Sequence, residues 1–174
     1  SDITKTSDTA GSDGIPGSVS WVDYNNDGLL DIFIANGTST SDVDVEGEKD
    51  AWKLIITSGE NNLYKNNGDG TFSDLAKTAG IAGVEKRIVY STANERASLE
   101  ISGVSLSAAW FHYNDDLCID LIIASDIGIS PLYKNNCDGT FTDVSKQEGV
   151  EKFLYGMGLA IKDLNQDSKQ DIFI

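Results

Sequence analysis

Four oxygen-bearing side chains stand at regular intervals in the stretch DYNNDGLLD: Asp23, Asn25, Asp27 and Asp31, at its first, third, fifth and ninth positions, with Gly28 at the sixth. Alternating oxygens separated by small or polar residues let a tight loop wrap a hard cation. The backbone carbonyl of Leu29, at the seventh position, adds a donor. Protein loops gather in this way the six to eight oxygens that Ca²⁺ prefers at roughly 2.3–2.6 Å. An EF-hand would need Glu at the twelfth position and a helix after it. Here that position is Ile34, inside the apolar run IFI. The pattern therefore predicts a calcium loop that joins two strands. Metal-free Asx turns favour the same residue types, so for one isolated loop both readings stand.

Recurrence favours the metal. Asp163, Asn165, Asp167 and Asp171 repeat the spacing, with Ser168 where the turn glycine stood, a substitution expected to strain the loop. A copy between the two is degraded. His112 replaces the first Asp and Leu117 the glycine, which leaves Asn114, Asp116 and Asp120. Imidazole nitrogen is a poor partner for Ca²⁺. Loss of calcium affinity is expected there, and a His-containing transition-metal site is the alternative. His112 is the single histidine of the chain, which does not by itself make it catalytic.

The elements that position these loops come from internal repeats. NNLYKNNGDGTFSDLAKTAGI (61–81) recurs as SPLYKNNCDGTFTDVSKQEGV (130–150), and VDYNNDGLLDIFI (22–34) recurs as FHYNDDLCIDLII (111–123) and KDLNQDSKQDIFI (162–174). The later period, His112 to Asp163, is 51 residues, whereas Asp23 to His112 is 89. The excess falls into two insertions, within about 37–61 and 82–104. The expected divisions are 1–16 as the tail of a preceding unit, 17–81 and 105–150 as units, and 156–174 as the start of another.

Each unit reads as four short strands, in the first one Ser18–Tyr24, Leu30–Asn36, Asn61–Asn67 and Thr71–Ala76. β-branched and aromatic residues fill them and Asn/Gly/Asp clusters bound them; NNGDG is a hairpin signal. The runs IFI and LII lack alternation, as expected of strands covered on both faces. Four-stranded units repeating at this period predict an all-β fold built from the antiparallel blades of a β-propeller. Trp21 and Trp110 occupy equivalent positions, for which core packing is expected.

Cys118 stands where the first unit has Leu29, and Cys137 where it has Gly68. In an up-and-down sheet the first-to-second and third-to-fourth loops share one end. A disulfide there is geometrically reasonable and would staple a unit that calcium no longer holds; two independent thiols are the alternative.

Bulk properties exclude some partners. Twenty-eight acidic against thirteen basic residues leave a formal charge of −15 in 174 residues, which argues against nucleic acid and anionic membranes. No apolar run approaches the roughly 20 residues of a membrane span. No GxSxG, HExxH, Walker loop or GxGxxG is present, so catalysis by this chain is not expected. The sequon NGT at Asn36 permits N-glycosylation in a secreting eukaryote.

The paired motifs DYNNDGLLDIFIANG and NNLYKNNGDGTFSDLAKTAGI resemble the FG-GAP/VCBS repeat of integrin-α-type β-propellers and of many extracellular proteins. The resemblance covers nearly the whole chain outside the two insertions. It implies a propeller with calcium held in the first-to-second strand loop, by Asp23, Asn25, Asp27, Leu29 and Asp31, and again by Asp163, Asn165, Asp167, Lys169 (through its carbonyl) and Asp171. His112 and Leu117 depart from the pattern. About two and a half to three units cannot close a ring, so the remainder of the propeller is expected in a longer chain. The implied setting is extracellular or secreted, periplasmic or cell-surface if bacterial, with a role in adhesion or in recognition of a protein or glycan. The insertions belong to the end opposite the calcium loops, and Trp52, Lys53, Arg87, Tyr90 and Arg96 there are candidate ligand contacts. The alternative role is the propeller portion of a polysaccharide-acting or other secreted enzyme whose catalytic residues lie elsewhere.

Overall fold

The computed structural model describes residue 9 and residues 15–44, 53–83, 87–91, 104–126 and 128–174. Sheet I consists of β1 (Pro16–Val22), β2 (Asp31–Asn36), β5 (Asn62–Asn66) and β6 (Phe72–Asp74), in that spatial order and antiparallel throughout. Sheet II repeats the arrangement with β8 (Val104–Phe111), β9 (Asp120–Asp126), β11 (Leu132–Asn135) and β12 (Phe141–Asp143). A third pair, β14 (Ala160–Lys162) with β15 (Asp171–Phe173), forms a hairpin. A short helix, α1 (Ala76–Ala79), ends at Gly80, whose left-handed φ of 83° closes it in the way that suits glycine. The strands lie within a residue or two of those expected.

Tight turns explain how so few residues make each sheet. Between β5 and β6, the Gly68 and Thr71 amides donate to Asn66 Oδ1 and Asp69 Oδ1, both at 2.9 Å. Such Asx turns reverse the chain at little entropic cost. The β11–β12 turn repeats them, with Cys137 and Thr140 donating to Asn135 Oδ1 and Asp138 Oδ1.

Sheet II lies between sheet I and the β14–β15 hairpin. Val22, Phe33 and Leu63 of sheet I share one core with Leu121, Ile123, Tyr133 and Phe141, with Trp110 packed against it. Phe111, Ile122 and Leu132 point the other way and pack with Leu159, Ile161 and Ile172. This explains why LII does not alternate: β9 is covered on both faces. In β2 the expectation holds on one face only, since Phe33 is fully buried while Ile32 and Ile34 are half-buried.

The tryptophans diverge for the same reason. Trp110 meets Phe33 and Phe141 edge-on at centroid distances of 5.6 and 5.9 Å, and its Nε1 donates to Ser20 Oγ at 3.0 Å. Its repeat partner Trp21 is 61% exposed on the open face of sheet I. The core role expected of both belongs to Trp110. On the opposite end of the stack, Met157 and Phe173 are each 72% exposed. Sheets I and II converge at their first strands, where a Cβ on Gly17 would lie 2.6 Å from the Leu106 backbone.

The two insertions meet. β3 (Thr38–Asp44) pairs with β4 (Lys53–Ser58), and β4 pairs with β7 (Arg87–Ser91), giving a three-stranded sheet from both segments. Lys53, Arg87 and Tyr90 fall in these strands. Trp52, Arg96, residues 1–8 and residues 10–14 lie outside the described residues. A further short pair joins β10 (Gly128–Ile129) to β13 (Phe153–Leu154).

The sequon is not a surface feature. Asn36 is buried, and its Nδ2 donates to Glu60 O at 2.6 Å and to Asn62 Oδ1 at 2.8 Å. An amide nitrogen committed inside the fold has no room for a glycan, which corrects the expectation of a glycosylation site.

Candidate metal centre

The loop between β1 and β2 folds around its own carboxylates. Asp23 accepts from two amides, Oδ1 from Asp27 N at 3.0 Å and Oδ2 from Gly28 N at 2.9 Å. Asn25 Oδ1 accepts from Asp27 N at 3.1 Å, and Asp27 Oδ1 from Leu29 N at 3.0 Å. Positive φ at Asn26 (57°) and Gly28 (83°) produces the coil, at residue types that tolerate it. The loop thus carries three carboxylates, Asp23, Asp27 and Asp31, with Asn25 and the Leu29 carbonyl, an all-oxygen set of donors, although the three carboxylates do not all lie within 4.8 Å of one another.

Asp31 opens β2 and is fully buried. Its Oδ1 accepts from Asn66 N at 2.7 Å. Its Oδ2 has no partner, the one such buried side-chain atom among the described residues. Burial pushes the Asp31 carboxyl above the usual carboxylate range. The Asn66 amide opposes that shift, the Asp27 charge adds to it, and the Tyr24 amide eases it without completing a hydrogen bond to Oδ2. A buried carboxylate with an unsatisfied oxygen is unfavourable unless a cation completes it or a proton neutralises it.

The loop between β14 and β15 reproduces this scheme. Asp163 accepts from Asp167 N and Ser168 N at 3.1 and 2.9 Å; Asn165 Oδ1 accepts from Asp167 N at 3.1 Å; Asp167 Oδ1 accepts from Lys169 N at 2.8 Å. Gln166 and Ser168 adopt φ of 62° and 69°, so Ser168 takes on the conformation of Gly28 and the strain that goes with it. Asp171 differs from Asp31 in that its Oδ2 accepts from Leu164 N at 2.9 Å.

The middle loop keeps only the inner part of the coil, with Asp116 N donating to Asn114 Oδ1 and Cys118 N to Asp116 Oδ1, both at 3.0 Å. His112 cannot receive the two amides that Asp23 and Asp163 receive; its Nδ1 instead lies 3.2 Å from the Cys118 carbonyl oxygen. Asp115 and Leu117, in the places of Asn26 and Gly28, do not share their positive φ. Asp120 is fully buried like Asp31, but both its oxygens are satisfied, Oδ1 by Asn135 N at 2.9 Å and Oδ2 by Tyr113 N at 3.0 Å.

Cys118 and Cys137 are joined in a disulfide that spans the first-to-second and third-to-fourth strand loops of sheet II. In sheet I the same spot is filled by Leu29, whose Cδ1 sits 3.4 Å from where a Gly68 Cβ would be. Cys137 accepts a φ of 62° in the place of Gly68, at 78°. Asp116 lies close to both sulfurs, but the sulfurs are committed to each other.

A further contributor to the first loop stands on β5 and carries a sequence signal of its own. Lys65 Nζ forms an ion pair with Asp27 Oδ2 at 2.9 Å, and Lys134 approaches Asp116 at 3.8 Å. The pair is the largest cause holding the Asp27 carboxyl below its ordinary range, and Asp27, Asp31 and Asp23 all help to raise Lys65. The signal was the YKNN tetrapeptide common to both units.

No family model matches the chain. Over 54 residues, 30% of its length, the chain is 37% identical to cartilage acidic protein 1 of Xenopus tropicalis. That match spans 8% of the relative.

Proposed function

We propose that this chain is a calcium-stabilised, non-catalytic segment of a β-propeller in a secreted or cell-surface protein, serving recognition of a protein or glycan. The observation that carries the calcium reading is the buried, partnerless Oδ2 of Asp31 at the mouth of an all-oxygen loop. Support comes from the second loop, Asp163–Asp171, which repeats the donor scheme bond for bond through position seven. Face-to-face stacking of four-stranded antiparallel sheets is the packing of propeller blades. The open faces bearing Trp21 and Phe173 suit further blades of a longer chain. The disulfide suits an oxidising compartment, and no helix among the described residues is long and apolar enough to cross a membrane.

Ligand recognition is assigned to the end away from the calcium loops. β3 begins two residues after Asn36, which pairs with Pro16 at the far end of β1. Elaborated connections on a rigid scaffold are the usual carriers of binding.

Calcium titration of the chelator-stripped protein, by calorimetry and thermal unfolding, tests the central claim. Two binding events and a rise in unfolding temperature are expected. At about 1 mM Ca²⁺ and a Kd near 10 µM, each site adds roughly 2.7 kcal/mol. Absence of both heat and thermal shift at millimolar calcium overturns it. A glycan array in calcium buffer addresses the ligand class.

A further inference from the structure

Calcium loops of this kind are usually described by their oxygens alone, yet the first loop here also holds a cation of its own. Lys65 stands on β5, outside the loop in sequence, and its ammonium lies 2.9 Å from Asp27 Oδ2 while its second hydrogen bond goes to Asn66 O at 3.3 Å. It is anchored at both ends of its reach. The strand that carries it also supplies the Asn66 amide to Asp31 Oδ1 and the Asn66 side chain to Leu30 O. β5 therefore presents one positive charge to a loop with three carboxylates, and the fields of Asp23, Asp27 and Asp31 all reach it.

We infer that Lys65 is the residue that sets the affinity of the first loop for divalent cations, acting as a tethered counter-ion that the incoming metal must share or displace. This inference rests on the calcium reading above. Asp27 has only two oxygens, and Oδ2 already accepts from both Lys65 Nζ and Asn25 Nδ2. A divalent ion at Asp27 either draws that carboxylate away from the ammonium or binds beside a fixed positive charge. Both weaken binding. A unit charge about 6 Å from a divalent ion in water-like surroundings reduces affinity roughly tenfold. In the ion-free protein the same ammonium offsets repulsion among the carboxylates. The loop thus exchanges one cation for another.

The Asp163–Asp171 loop provides the internal reference, because no lysine forms an ion pair with Asp163, Asp167 or Asp171 among the described residues. The test titrates Ca²⁺ alone into the full chain as wild type, Lys65→Met, Lys65→Gln and Lys65→Arg. The neutral variants are expected to bind about tenfold more tightly at one site and unchanged at the other, while their calcium-free unfolding temperature falls. Lys65→Arg, which keeps the charge, should stay near wild type. Two neutral replacements keep the test decisive if one of them folds poorly. Unchanged or weaker binding in a folded neutral variant, with a normal wild type, overturns the role of Lys65 alone. A wild type that binds no calcium overturns the calcium reading and this inference with it.

Discussion

Asp31 and Asp120 are the same residue in two copies of one repeat, both fully buried, and they differ by a single hydrogen bond. Tyr113 N closes the second oxygen of Asp120, whereas the second oxygen of Asp31 has no hydrogen-bond partner. Burial raises the Asp31 carboxyl above its ordinary value of 3.8. The sign of the pH dependence follows: in calcium-free protein, the stability contributed by Asp31 is complete below the unfolded value and is lost as pH rises through the raised folded one. Asp31→Asn removes that loss. In chelator at pH 7 the variant is expected to unfold at a higher temperature than wild type, with the gap closing as pH is lowered toward about 4. In millimolar calcium the order at pH 7 inverts, because only the ionised carboxylate holds the metal. Melting curves across pH, with and without calcium, check both halves. Two parallel lines that never converge would show that Asp31 does not titrate as its burial requires.

At the level of strands and loops, the disulfide takes over work that the coil does elsewhere. Sheet I closes its loop end with Asp23, Asp27, Lys65 and Leu29 laid over Gly68; sheet II closes it with a covalent bond at the same place. The sequence separation of 19 corresponds to about 3 kcal/mol in the chain-entropy picture. Replacing both Cys118 and Cys137 by Ser should lower unfolding free energy by about that amount in urea denaturation and leave calcium stoichiometry intact. A stoichiometry that falls with the disulfide would mean that the two kinds of closure are not independent. This level was the most legible in the sequence. Repeats aligned Cys118 with Leu29 and Cys137 with Gly68, and up-and-down topology put both at one end. What the repeats could not reveal was local. No comparison of copies shows that the backbone of the middle loop abandons positive φ, or that Asn36, in a motif usually read as a surface tag, is tied down by Glu60 and Asn62.

The whole molecule is a stack with two unequal sides. Trp110 is partly buried and packs against the core shared by sheets I and II, while Trp21, its equivalent, lies open. Trp110→Ala is therefore expected to cost about 3–5 kcal/mol, and Trp21→Ala under about 1 kcal/mol in this chain. Equal losses in chemical denaturation would contradict the packing described. Periodicity announced the strands that build this stack, but it treats all copies alike and so could not say which copy has a neighbour on each side. It was equally silent on the three-stranded sheet, since neither insertion has a counterpart within the chain. The middle strand of that sheet comes from one insertion and borrows an edge partner from the other, the closest pairing being Thr57 with Arg87. Deleting either segment strands the other with unpaired backbone. A chimera that sheds one addition is therefore expected to leave a bare β edge on the other.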